Sequence, residues 1–151
     1  MENWKYQNKE ILSINDMQIF EPKVWGFVYH LILINKKTNK EEFYYIGKKN
    51  IYSKRKRNFG KKETSLIKDK RKKTYEYIIK ESDWKTYHSS SKFIKDNLDK
   101  YHIIRNILMF CTNDSDLNYN EAKEIICQGA LDTDKYLNEG VKITRYKNFK
   151  K

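Results

Sequence analysis

Val24-Trp25-Gly26-Phe27-Val28-Tyr29-His30-Leu31-Ile32-Leu33-Ile34 is the stretch on which the fold turns. β-Branched and aromatic residues fill it. It is apolar at nearly every position rather than at alternate ones, the pattern of a strand covered on both faces. Such a strand belongs in the middle of a sheet. On its C-terminal side, Asn35 to Lys40 (NKKTNK) is a polar turn cluster and Glu42 to Gly47 (EFYYIG) reads as the returning strand. The two form an antiparallel hairpin with a loop longer than two residues. On its N-terminal side, residues 1–23 read as a polar arm containing Pro22, the one proline.

Beyond the hairpin the chain changes character. From Lys48 to Lys73 it holds 13 basic residues against two acidic ones, Glu63 and Asp69, a net of +11 out of the chain's +12. With Gly60 inside it and no sustained periodicity before Thr74 to Glu81, this segment reads as mostly loop, with one strand or helical turn. Ser89-Ser90-Ser91 offers N-cap residues for a short helix carrying Phe93, Ile94, Leu98 and Tyr101 on one side. His102 to Cys111 (HIIRNILMFC) reads as a third strand, and Leu117 to Gln128 as a helix that Gly129 ends. The order predicts an α+β domain: a small antiparallel sheet of about three strands flanked by helices, with a long basic insertion after the second strand. The expected organisation is an arm over 1–23, one domain over 24–140 with its insertion at 48–81, and a basic tail over 141–151.

Composition narrows the function. No apolar run approaches the roughly 18 residues of a membrane span, and Met1 to Glu10 lacks the apolar stretch of a signal peptide. Cys111 and Cys127 show no metal or redox spacing and read as two buried free thiols of a reducing compartment, so the expected location is the cytoplasm. The segregated positive charge suits a polyanion. Nucleic acid is favoured over an anionic membrane surface, because the segment lacks apolar anchors at helical spacing. A merely solubilising loop is the plain alternative.

Tyr29 and Tyr45 lie in the two hairpin strands, side by side once these pair. Twelve tyrosines are present, so a cross-strand aromatic pair is the plain reading. Context gives the pair more weight: Phe27-Val28-Tyr29 on one strand, Tyr45-Ile46-Gly47 on the next, then Lys48-Lys49 and the basic segment. With these triplets the chain resembles the GIY-YIG nuclease superfamily. Phe27 stands where the first triplet has Gly, and Gly26 is displaced by one. Several other stretches are similar to a group of phage-encoded members, and the resemblance spans residues 24–139. They are Glu81 to Tyr87 (ESDWKTY), Arg105-Asn106-Ile107-Leu108, Tyr119-Asn120-Glu121-Ala122-Lys123 and Asp134-Lys135-Tyr136-Leu137-Asn138.

The resemblance implies a DNA endonuclease with a single divalent metal, Mg²⁺ or Mn²⁺, acting on DNA expected to be double-stranded, in the host cell cytoplasm if the gene is a phage's. It assigns the metal to Glu121. Independently, Glu121 stands between Leu117 and Ile125 on an apolar helical stripe, where an acid is rare unless paired or metal-bound. A salt bridge is the competing reading. Arg55, eight residues after Gly47, matches the family's phosphate-binding arginine, with Arg57 and Arg71 as competitors. His88 matches a histidine of some members. Asn138 matches a supporting position, and Lys48, Lys49 and Lys54 join the arginines as DNA contacts. Phosphodiester hydrolysis needs a water deprotonated, a phosphorane dianion stabilised and a leaving oxygen neutralised. A tyrosine beside Arg and Lys would have its phenolate favoured, so Tyr29 or Tyr45 is the expected base. An arginine offers a bidentate fork to phosphate, and a metal acts as Lewis acid. The rival from another class is a non-catalytic nucleic-acid-binding protein on the same fold. Oligomeric state, target site and biological role stay open.

Overall fold

A computed structural model describes residues 1–69 and 71–143. Along the chain run β1 (Lys5–Tyr6), β2 (Lys9–Glu10), α1 (Ile14–Gln18), β3 (Gly26–Asn35), β4 (Glu41–Asn50) and β5 (Tyr52–Asn58). They are followed by α2 (Lys61–Ser65), β6 (Tyr75–Glu81), α3 (Lys92–Asp96), β7 (Tyr101–Cys111) and α4 (Asp114–Cys127). Five strands form one sheet in the order β2-β1-β7-β3-β4, and β5 pairs with β6 in a separate two-stranded ribbon.

The apolar stretch forms β3 and lies between β4 and β7, antiparallel to both. Its two faces feed two cores, as period-two alternation requires. Phe27, Tyr29, Leu31 and Leu33 pack with Trp4, Met17, Trp84, Ile94 and Ile103 on one side. Val28 and Ile46 pack with Leu117, Ile125 and Ala130, on and just after α4, on the other.

The sheet has five strands, not about three. Residues 1–23, read from sequence as a polar arm, supply the other two: β1 runs parallel to β7, with Lys5 opposite Asn106, and β2 pairs back on β1. This segment also buries Trp4, Ile11 and Met17 in the core. The Trp4 indole donates to the carbonyl of Trp84 at 2.7 Å. α1 is held by a capping box between Ser13 and Asp16.

The basic segment is more ordered than its composition suggests. β5 and β6 pair in full register from Tyr52 opposite Glu81 to Asn58 opposite Tyr75, with α2 between them. Both faces of the ribbon meet solvent, so its strands lack the apolar alternation that marks a half-buried strand. At its root, Ile51 is fully buried; its N–H donates to Trp25 O at 3.0 Å and its carbonyl accepts from Ser82 N at 2.9 Å.

The helix after Ser91 is only five residues long, with Leu98 exposed and Tyr101 already in β7. α4 begins three residues before the apolar pattern does, because Asn113 caps it by accepting from Asp116 N at 2.9 Å. It ends at Gly129, whose φ of +61° lets Ala130 N donate to Ile125 O and Gly129 N to Ile126 O, a Schellman closure. Cys111 is buried, whereas Cys127 is exposed. No described helix is long and apolar enough to cross a membrane. Of the basic tail, 144–151 lies outside the described residues.

Trp4 tests whether the N-terminal segment is integral to the fold. Trp4→Ala removes a fully buried indole, and urea unfolding should report a loss of about 3–5 kcal/mol. A loss under about 1 kcal/mol would mean that the segment is an appendage.

Candidate active site

Tyr29 sits opposite Gly47 and Leu31 opposite Tyr45, so Tyr29, Tyr45 and Gly47 share one face of the sheet. β4 is the edge strand there. A Cβ on Gly47 would collide with the hydroxyl end of Tyr29, 2.3 Å from Oη, 2.4 Å from Cζ and 2.8 Å from Cε2. The missing side chain therefore lets the Tyr29 ring lie across the edge strand. From the other face come Glu121 on α4 and Lys48 on β4. The two sets meet in a cleft of about 570 Å³ lined by Tyr29, Tyr45, Lys48, Tyr87, Ser90 and Glu121.

Each phenol is held. The Tyr29 ring lies 5.2 Å from Trp4, 6.3 Å from Tyr45 and 6.2 Å edge-on from Tyr87 (centroid distances). Tyr45 Oη lies 3.4 Å from Ser90 Oγ. Tyr87 is fixed by two cations: Lys49 Nζ sits 4.0 Å above its ring while bridging to Asp83. Arg105 Nη1 donates to the carbonyls of Lys85 and Tyr87, each at 2.8 Å. Arg105 also donates through Nε to Glu2 O and lies 4.6 Å from the Trp4 ring centroid. Burial lowers its pKa to about 10, which leaves it cationic at neutral pH.

Burial lifts the Tyr29 hydroxyl well above its ordinary range, with Tyr87, Tyr45 and the Glu121 charge adding to the effect. Tyr45 is raised too, mainly by burial and further by Glu121, against a lowering hydrogen bond from Ser90. The expectation of favoured phenolates is therefore corrected: no arginine lines the cleft among the described residues, and the nearby carboxylate acts in the opposite sense. Glu121 itself is raised by burial and only partly offset by Lys48. The Lys48 ammonium donates to Asn118 Oδ1, one turn before Glu121 on α4.

The expected residues divide into two groups. Tyr29, Tyr45, Lys48, Glu121 and Asn138 line the cleft. Asn138 commits its amide to β4: Nδ2 donates to Ile46 O at 2.8 Å and Oδ1 accepts from Ile46 N at 3.0 Å. Arg55, Arg57, Arg71, Lys49, Lys54 and His88 are absent from its lining. The eight residues from Gly47 to Arg55 run almost wholly as strand, so they span up to about 26 Å, against roughly 12 Å in a helix. Arg57 is engaged by Glu76 at 2.6 Å and Glu63 at 3.0 Å, and Arg71 by Asp69 at 3.2 Å. Lys54 lies 5.0 Å from the Trp25 ring centroid, at the ribbon's root. His88 has a buried Nδ1 with no partner among the described residues, and burial lowers its pKa.

Sequence reasoning missed the steric role of Gly47 and the parts of Tyr87, Ser90, Asn118 and Arg105. Two of these carried a signal. Arg105 is a lone cation in an apolar strand, and Asn118 stands three residues before Glu121, on the same helical face.

Among the described residues there is no group of three or more His, Cys, Asp or Glu that could hold a metal ion. One half-buried carboxylate in an open cleft still fits a hydrated Mg²⁺ or Mn²⁺, because Mg²⁺ keeps most of its water and takes one or two carboxylates.

A family model described as "Putative endonuclease segE, GIY-YIG domain" matches residues 4–141. No curated protein and no solved structure matches the chain. The match spans nearly all of the chain, which belongs to the GIY-YIG endonuclease family.

Two measurements probe this geometry without any substrate. Gly47→Ala should cost about 1–3 kcal/mol in urea unfolding, because the Tyr29 ring or the edge strand must shift. No loss would show that Tyr29 has another resting place. For Glu121→Gln, stability should exceed wild type without metal at neutral pH, since a raised native pKa means that ionising Glu121 opposes folding. Below its ordinary value of 4.5 both native and unfolded carboxyls are protonated and the penalty vanishes. The advantage of the variant should therefore grow as pH rises from about 4 to about 7. An advantage that shrinks with rising pH would mean that the carboxylate is stabilised by an ion pair.

Proposed function

We propose that this member of the GIY-YIG endonuclease family hydrolyses phosphodiester bonds of double-stranded DNA in the Tyr29–Tyr45–Glu121 cleft, with a divalent metal. The observation that carries the reading is the meeting of two phenols and a desolvated carboxylate, from opposite faces of one sheet, at the gap left by Gly47.

Tyr45 first releases its own proton to solvent and, as the phenolate, takes the proton of the attacking water. Its hydroxyl is only half-buried and the less elevated of the two phenols, whereas Tyr29 is 1% exposed. Tyr29 orients the water and sets the wall of the cleft. Lys48 supplies the positive charge beside the scissile phosphate, and Asn118 aims it. Glu121 would hold Mg²⁺ or Mn²⁺, ions that take one or two carboxylates and keep most of their water. Such an ion, when bound, neutralises charge on the departing 3′ oxygen. A cation on Glu121 would offset the smaller, coulombic contribution that this carboxylate makes to raising both phenols; the larger one, burial, stays.

A second reading, a non-catalytic DNA-binding protein, draws on one observation: no arginine lines the cleft among the described residues. Nicking of supercoiled plasmid with and without Mg²⁺ separates the two. Metal-dependent nicking is expected. Glu121→Gln should abolish it while metal-free DNA binding persists. Lys48→Ala should lower turnover by about 10²–10³-fold, the size of a lost oxyanion donor. Nicking at the wild-type rate by the Glu121 variant would remove the metal role, and no nicking by the wild type would favour the second reading.

A further inference from the structure

The ribbon is the largest feature that the cleft does not use. Cross-strand partners share a face, so Lys54 and Ile79, Lys56 and Tyr77, and Asn58 and Tyr75 lie together on one side. Arg55 with Ile78 and Arg57 with Glu76 lie on the other. The two sides differ in how they are used. Arg57 is tied to Glu76 and, through Glu63, to α2, which engages that face near its tip. On the first side Tyr77 and Ile79 are 57% and 55% exposed, although both are large apolar residues in regular strand. They stand among cations: Lys56 Nζ is 4.1 Å from the Tyr75 ring centroid, and Lys73 Nζ 5.5 Å from it.

This combination identifies an occupant. Residues 52–81, the ribbon strands and their connection, hold 12 basic and four acidic residues, a net charge of +8, which calls for a dense polyanion. A duplex major groove, about 12 Å wide, admits a two-stranded β-ribbon. Seven-residue strands reach roughly 20 Å, the rise of about six base pairs. Lysines pair with guanine O6 and N7, and apolar groups meet thymine methyls, so one face of Lys54, Lys56, Tyr77 and Ile79 matches what base edges present. A free lysine-rich loop would bind phosphates as well, but it would not need paired strands with two large apolar side chains held outward.

We propose that the β5–β6 ribbon enters the major groove of duplex DNA with its Lys54–Lys56–Tyr77–Ile79 face towards the bases, and so selects the sequence delivered to the cleft. Its binding half stands alone; its delivery half rests on the nuclease reading. Ile51 joins the ribbon directly to β4, which carries Gly47 and Lys48, so a duplex on the ribbon is tied to the strand that borders the cleft.

The test uses the full chain without metal, so that binding is read apart from cleavage. Selection from a randomised duplex pool should enrich a motif of about six base pairs or fewer. Replacing guanine in that motif by 7-deazaguanine, which removes only a major-groove acceptor, should weaken binding at least tenfold. Inosine, which removes only the minor-groove amino group, should not. The double variant Tyr77→Ser, Ile79→Ser should lose the enrichment while still binding duplex DNA at low salt and unfolding at the wild-type urea midpoint. No enrichment, a loss with inosine in place of 7-deazaguanine, tighter binding to single strands, or unchanged selectivity in the variant would each overturn the proposal. A groove footprint without any nicking in metal would uphold the ribbon and sink the nuclease reading; nicking without a footprint would do the reverse.

Discussion

The approach of the Tyr29 ring to the backbone of Gly47 is the contact on which the rest of the cleft depends. A strand in the middle of a sheet ordinarily cannot reach a cleft beyond the sheet edge, because its neighbour's side chains intervene. Here the neighbour has none at that one position, and a Cβ would collide with the hydroxyl end of the ring. Tyr29 thereby combines two properties that otherwise conflict. Its ring is held by a core that includes Trp4, and its hydroxyl reaches a cavity shared with Glu121 from the opposite face. The edge strand must stay in place for this to hold. Asn138 grips both polar backbone atoms of Ile46, and Tyr44 exchanges backbone hydrogen bonds with Lys135 and Leu137, so the open side of β4 is occupied just before Gly47.

Support for the other phenols comes from charge placed where it is costly. Arg105 is 3% exposed; it donates to three carbonyls and lies against the Trp4 ring, with no carboxylate bridged to it among the described residues. Three carbonyl acceptors and a π face stand in for the water that it gave up. In return the N-terminal segment, the loop carrying Tyr87 and β7 are tied to a single side chain. This explains why residues 1–23 are integral to the fold: they supply one of the carbonyls and the ring on which Arg105 rests.

The parts legible in the sequence were those with a one-dimensional signature. The double-sided apolar run gave away β3, the EFYYIG stretch gave away its partner, and a carboxylate between Leu117 and Ile125 marked Glu121. What stayed hidden had no such signature. Strands of two residues, as in β1 and β2, are too short for any periodicity, and Trp4, Ile11 and Met17 are spaced too widely to declare a face. The ribbon is solvated on both sides, so lysine and arginine mask its alternation. Arg55 lies outside the cleft lining for a different reason. A count of eight residues is a distance only once the conformation is known, and a strand stretches it to about twice the helical length. Arg105 was quoted as part of a motif, yet whether an arginine on an apolar strand points to solvent or to a ring is a matter of tertiary packing.

Charge is also divided between the two working regions in a way that separates affinity from chemistry. Residues 52–81, the ribbon strands and their connection, carry a net of +8 out of the chain's +12, while the cleft sets Lys48 and Lys142 against Glu121. A strongly cationic cleft would hold phosphate tightly in the ground state, and ground-state binding does not accelerate the chemical step. The observed cleft differs: its phenols and its carboxylate are all pushed towards their neutral forms by burial. On the proposed reading, a cation on Glu121 would offset the carboxylate's charge and bring the site closer to its reactive form. On the same reading, duplex DNA would be retained by a ribbon that takes no part in proton transfer. The physical consequence is that binding to the ribbon can be strong without stabilising the ground state at the scissile bond.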